Sequence, residues 1–270
     1  MSSSRPSALD AGLAGGSIGE RRHRDGDFAR SGAVGAQKNN LKPWQVKSWC
    51  IPKITPQFLC RMEHLLALYA RPYDPLYPVI GFDEKSYQLL ADSRATLPLR
   101  PKHPCRRDYE YRRRGTRNLF MMVEPLAGRR HVLLTRRRTK ADFAHAVRYL
   151  ADVLYPNAKC IELVLDNLNT HTDQALVETF GVLEANRIMR RVCFHYTPVH
   201  ASWLNMAEIE IGILSRQCLR RHIPSEPLLQ SELIAWHQFR NRQFAKIHWS
   251  FSLKDARRVF ALYYPESLPS

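Results

Sequence analysis

No run of eighteen apolar residues occurs anywhere in the chain, so no transmembrane helix is predicted. The six cysteines (Cys50, Cys60, Cys105, Cys160, Cys193 and Cys218) form no Cys-x-x-Cys pair, which argues against a zinc ribbon and against the disulfide framework of a secreted domain. Reduced thiols in a cytoplasmic protein are expected. Neither Gly-x-Gly-x-x-Gly nor a P-loop motif is present, so a dinucleotide site and a nucleotide-triphosphate loop have no support, and any metal is expected on carboxylates. The first 40 residues lack the apolar stretch of a secretory signal, and Asp10, Glu20, Asp25 and Asp27 disfavour a transit peptide. Their Ser, Gly, Ala and Arg content predicts a disordered tail.

Acidic charge is the scarce kind. Against 25 Asp and Glu stand 41 Lys and Arg, a net charge of +16, which points to a polyanionic partner. Arginine clusters suit phosphate in particular. With 270 residues and 44% hydrophobic content, the chain can bury a core as one large domain or two small ones.

Order is predicted from Leu41, where Trp44 and Trp49 precede a helix over 56–70 carrying Phe58, Leu59, Met62, Leu65, Leu66 and Tyr69 at helical spacing. Pro72, Pro75 and Pro78 close this arm. From Val79 to Leu90 the pattern is a strand with Asp83 in its middle, an expensive position for an acid unless it is paired or bound to metal. Glu84 has the opposite strand phase and should point the other way. A polar loop is expected next, bearing Arg106, Arg107, Arg112, Arg113, Arg114 and Arg117 among Tyr109 and Tyr111. Cations interleaved with aromatics can hold a nucleic-acid backbone and stack on bases.

Asn118–Pro125 and Arg129–Arg137 form a hairpin pattern around Leu126-Ala127-Gly128. Thr139 to Asp142 has the form of a capping box, opening a helix with Phe143, Val147, Leu150, Ala151 and Leu154 that ends before Pro156. Ile161–Leu165 is an apolar strand that presents Asp166 at its tip, and a polar turn to His171 follows. A helix-capping Asp is the plain alternative for that residue. A helical region over 172–190, a strand at Val192–Tyr196 and a helix starting near Ser202 complete the series. Three strands followed by alternating helices and strands is the ribonuclease H-like α/β arrangement, its first three strands antiparallel. In the late helix Leu204, Ala207, Ile211, Leu214 and Cys218 make the apolar stripe. Glu208 and Glu210 flank it about 200° apart, so only one can face a given site, and periodicity does not choose between them.

Gly81-Phe-Asp-Glu84, Arg114-Gly-Thr-Arg-Asn-Leu-Phe120, Val164-Leu-Asp-Asn-Leu-Asn-Thr-His171, His195-Tyr-Thr-Pro198 and Ser202-Trp-Leu-Asn-Met-Ala-Glu208 together resemble the DDE transposases of bacterial insertion sequences related to mariner elements, over about residues 41–264. The resemblance implies that Asp83, Asp166 and Glu208 bind two Mg²⁺ or Mn²⁺ ions, and that Glu210 is a helix-surface residue. It assigns Asn167, His171 and Asn205 to orienting the carboxylates or touching phosphate. Double-stranded DNA, as element ends and target, is the implied partner, and a homodimer the implied assembly. The 41 residues between Asp166 and Glu208 (208−166−1) exceed the family's usual interval. Residues 41–50 resemble only the tail of the family's helix-turn-helix region, so a truncated or rearranged copy is expected. The expected divisions are a tail at 1–40, an arm at 41–77, the catalytic domain at 78–225 and a helical extension at 226–270. The competing readings are a nuclease without strand transfer and an inactive DNA-binding remnant.

Overall fold

The computed structural model describes residues 53–106 and 108–264. The expected tail, the tryptophan-bearing stretch at 41–50 and Arg107 lie outside the described residues. Five strands form one sheet in the order β3-β2-β1-β4-β5. β1 (Val79–Asp92), β2 (Tyr111–Glu124) and β3 (Arg129–Thr135) make the antiparallel meander, while β4 (Ile161–Leu165) and β5 (Val192–Tyr196) extend the sheet in parallel on the far side of β1. This is the strand arrangement that the order of elements predicted.

The strand period of two sorts side chains between the faces. On one face Ile80, Phe82, Phe120, Met122, Ile161, Leu163 and Leu165 join a single core cluster. That face is covered by α2 (Lys140–Tyr149), α3 (Asp173–Phe180) and α4 (Val182–Met189). The expected capping box is present at the start of α2, where Thr139 and Asp142 bond each other's backbone N–H. A π-helical turn, Leu150–Leu154, prolongs that helix before Pro156. On the other face Leu119, Met121, Val123 and Val132 meet α5 (Ala207–Gln217) and α6 (Glu226–Arg242). A third cluster seats α1 (Pro56–Tyr69) against Val164, Ala201, Leu204 and Ala256, the last from α7 (Leu253–Val259). Among the described residues no helix is long and apolar enough to cross a membrane.

One expectation gains detail and three need correction. The region 172–190 is two helices, because Gly181 breaks it at φ 78°, a left-handed conformation that glycine adopts without strain. The late helix starts at Ala207, since a 3₁₀ turn at Ser202–Leu204 and an extended Asn205 precede it. Arg112, Arg113, Arg114 and Arg117 stand on a strand: β1 and β2 run on as a two-stranded ribbon, pairing Leu90 with Arg113 and Asp92 with Tyr111. On the β2 side Tyr111 to Thr116 are all exposed, and a strand segment so exposed needs no apolar alternation, so its sequence looks like a loop. Lastly, Glu210 is no surface residue. Its side chain is 0% exposed, and Oε1 accepts from Arg130 Nη2 at 3.0 Å and from Arg240 Nη2 at 2.6 Å. Arg130 is equally buried, so the pair joins β3 to α5 beneath α6. Periodicity assigns Glu210 a flank, but α6 and β3 cover that flank.

Removing the acid leaves two guanidiniums without their shared partner. Glu210→Ala is expected to lower unfolding free energy by about 3–5 kcal/mol in urea denaturation, and Glu208→Ala by no more than about 0.5 kcal/mol.

Candidate active site

Strand register brings the first two acids together. Gly81 of β1 pairs with Val164 of β4 in parallel, so Asp83 and Asp166, each two residues further on, reach the same level and the same face on adjacent chains. Glu208 enters from the first turn of α5. All three interact: burial pushes the Asp83 carboxyl up to about 7, a bond from Glu84 N–H opposes this, and repulsion from Asp166 and Glu208 adds to the rise. Their oxygens do not all fall within the 4.8 Å expected of ligands to one ion.

Asp166 is held from one side. His171 Nδ1 lies 2.6 Å from its Oδ1, and Leu168 N–H donates to the same oxygen at 3.3 Å. Both bonds fall on Oδ1, so Oδ2 is the oxygen turned to other partners. His171 itself is fully buried between Phe82 and Phe143, with Nε2 3.3 Å from Glu84 Oε2, and Tyr196 Oη donates to its backbone carbonyl. Glu84 in turn accepts from Arg138 Nη1 at 2.8 Å. Burial alone would depress the imidazole, yet the carboxylates of Asp166 and Glu84 raise it to about 8. For Asp166 burial works upward, and the His171 bond and charge outweigh it, so this carboxyl sits below its ordinary range. As its strand phase predicts, Glu84 faces away from Asp83. Its role as the anchor of His171 was not readable from spacing.

Asn205 sets the position of Glu208. Its Nδ2 donates to Phe82 O at 2.8 Å, and its Oδ1 accepts from Ala207 N at 3.1 Å, tying the start of α5 to β1. Gly81 permits the approach, since a Cβ there would come within 3.0 Å of Asn205 Oδ1 and 3.1 Å of Ala207 N. Asn167 does something different from orienting a carboxylate. It donates to Thr197 O at 2.6 Å and accepts from Arg61 Nη1 at 2.9 Å, bracing the loop after β4 against β5 and α1. The arm also reaches α5's lead-in, where Tyr69 Oη donates to Leu204 O.

Of the candidate arginines, Arg106, Arg112, Arg113 and Arg114 are exposed, while Arg117 is committed to Glu226, with Nη2 at 2.7 Å.

A family model described as DDE superfamily endonuclease matches residues 78–230. The chain belongs to that family. The match includes Asp83, Asp166 and Glu208 within one DDE endonuclease domain. Among solved structures, the Mos1 mariner paired-end complex with Mn is similar at 13% identity and a TM-score of 0.50, covering 86% of this chain and 76% of that one. The Mos1 strand transfer complex also matches, at 13% identity, a TM-score of 0.49, and 86% and 77% coverage. At such identity the first likeness speaks for the ribonuclease H-like fold. No curated protein matches the chain.

The raised Asp83 carboxyl has a signed consequence for this DDE endonuclease. Folding favours its protonated form, so its ionisation weakens the fold as pH climbs from about 4 to about 7, with the full penalty present above that. In chelator-treated protein, Asp83→Asn is expected to raise stability at pH 8 by at least about 1 kcal/mol and to change it little at pH 4, as read from thermal melts.

Proposed function

We propose that the chain is a transposase: it cuts DNA at an element end and joins the freed 3′-hydroxyl to target DNA, with Asp83, Asp166 and Glu208 as its catalytic carboxylates. The observation that carries this reading is the parallel register of β1 and β4, which sets Asp83 beside Asp166, with Asn205 seating the Glu208 helix over the same strand. Within this reading residues 78–225 form the catalytic domain, braced by the arm and the C-terminal helices.

The donor set is carboxylate oxygen, which suits a hard dication such as Mg²⁺ or Mn²⁺. The mutual repulsion felt at Asp83 is what such a cation would relieve. This reading takes two such ions. Held by Asp83, Asp166 and Glu208, they would supply Lewis acidity to the attacking oxygen and to the departing one. The residues do the positioning. His171 keeps a proton on Nδ1 against Asp166 Oδ1, so that Oδ2 is presented to the centre, and Glu84, held by Arg138, sets its charge 3.3 Å from Nε2. Asn205 holds Glu208 at a fixed height over Phe82. The exposed arginines of the ribbon, Arg112 to Arg114, and the nearby Arg106 grip DNA phosphates, with Tyr109 free to stack. Two copies acting on two ends complete the reading, in keeping with the paired-end assembly named for Mos1.

Supercoiled plasmid is expected to be nicked in Mg²⁺ or Mn²⁺, and labelled end DNA to appear joined to target. Asp166→Asn and Asp83→Ala should lower nicking by on the order of a hundredfold or more while retaining DNA in gel shifts. Nicking that survives in both variants would remove the carboxylates from the chemistry, and nicking without joined product would reduce the activity to hydrolysis. Replacing Arg112, Arg113 and Arg114 together with Ala should instead weaken DNA binding and flatten its logarithmic salt dependence by about 0.9 for each phosphate no longer neutralised.

A further inference from the structure

Two short alternations, Cys160-x-Glu162 and Cys193-x-His195, lie at the start of β4 and along β5, and Glu162 pairs with Cys193 in parallel register. The strand period therefore turns all four side chains to one face, opposite the one where Ile161, Leu163 and Val192 enter the core. The Cys160 thiol donates to Cys193 Sγ at 3.2 Å, and the two are not joined in a disulfide. The sulfurs of Cys160 and Cys193 and a Glu162 carboxylate oxygen all lie within 4.8 Å of one another. Among the described residues this is the trio that meets that spacing. Glu162 is fixed from two sides: Arg71 Nη1 bonds Oε1 at 2.9 Å and His195 Nε2 lies 2.6 Å from Oε2. His195 Nδ1 in turn meets His64 Nε2 at 2.8 Å, with the rings stacked.

We propose that Cys160, Cys193 and Glu162 form a second metal site, specific for a thiophilic divalent cation of the zinc class, with His195 and His64 orienting the carboxylate. Two thiolates select against Mg²⁺, and a ligating carboxylate is itself held by hydrogen bonds, as Glu162 is by His195. On binding, each thiol releases its proton to solvent as a sulfur–metal bond forms, and no electron is transferred. Zinc–sulfur bonds of about 2.3 Å at a tetrahedral angle separate the sulfurs by roughly 3.8 Å, so the pair has to open by about half an ångström. Cys193 is exposed, which gives the ion a path in, and a water can complete the coordination. Bound there, the cation would clamp edge strand β5 to β4.

The 270-residue chain, fully reduced and stripped of metal by chelation, is titrated with Co²⁺. One equivalent is expected to bring up thiolate-to-cobalt absorption in the near ultraviolet, and one equivalent of Zn²⁺ to erase it. Cys160→Ser and Cys193→Ser, checked for folding by circular dichroism, should each lose that band. His195→Ala should keep the band but weaken Co²⁺ binding by about 10–100-fold. Cys193→Ser should nick plasmid in Mg²⁺ like the parent, so that failure of this site and failure of the carboxylate centre give different results. Absence of the band in the folded, reduced parent chain overturns the proposal. So does its persistence in both serine variants, or recovery of a Cys160–Cys193 disulfide in place of cobalt uptake.

Discussion

Everything at the candidate centre depends on the parallel pairing of β1 with β4. These two strands come from segments about eighty residues apart, and only when Gly81 lies against Val164 do Asp83 and Asp166 fall side by side. A slip of one residue would turn one acid to the opposite face. The register is enforced from both faces: Ile80, Phe82, Leu163 and Leu165 must enter the core beneath α2, while Gly81 has to lie bare beneath the start of α5. Hydrophobic packing therefore sets a geometry that electrostatics alone opposes, since it brings like charges together. Sites built this way hold unfavourable charge as a standing demand for a counter-ion.

The architecture was readable because each element carried its own local signal. Apolar runs ending in acids or prolines marked β4 and β5, and the Thr139–Asp142 capping box marked α2. What escaped was set by neighbours distant in sequence. Nothing near Glu210 announces that Arg130, eighty positions earlier, and Arg240, thirty later, converge on it. The segment carrying Arg112 to Arg114 looked like a loop because its ladder partner is on β1 and its own side chains are exposed. Asp83 and Asp166 were legible as candidates because a carboxylate at such a strand position is conspicuous. The choice of Glu208 came from resemblance, and burial of its rival supplies a physical reason for it.

That reason extends to the division of labour among acids in a basic chain. Glu210 is neutralised by two guanidiniums, and Glu84 by Arg138 and His171. Each of these carboxylates has a cation from the chain itself and contributes to structure. At Asp83 the influences that raise its carboxyl include two other acids, against which the charge of His171 pulls downward.

β4 shows how far this separation can go within five residues. Its C-terminal end delivers Asp166 into a cluster of hard oxygen donors, while its N-terminal end is flanked by Cys160 and carries Glu162 beside Cys193. Donor softness differs between the two ends, so a cation that prefers thiolate gains little at the carboxylates, and Mg²⁺ gains little at the sulfurs. The ends are linked mechanically nonetheless. The same β5 that carries Cys193 and His195 leads into Thr197, whose carbonyl holds Asn167 next to Asp166. A clamp at the start of the two strands would therefore stiffen the loop that presents the second acid without placing any ligand near it.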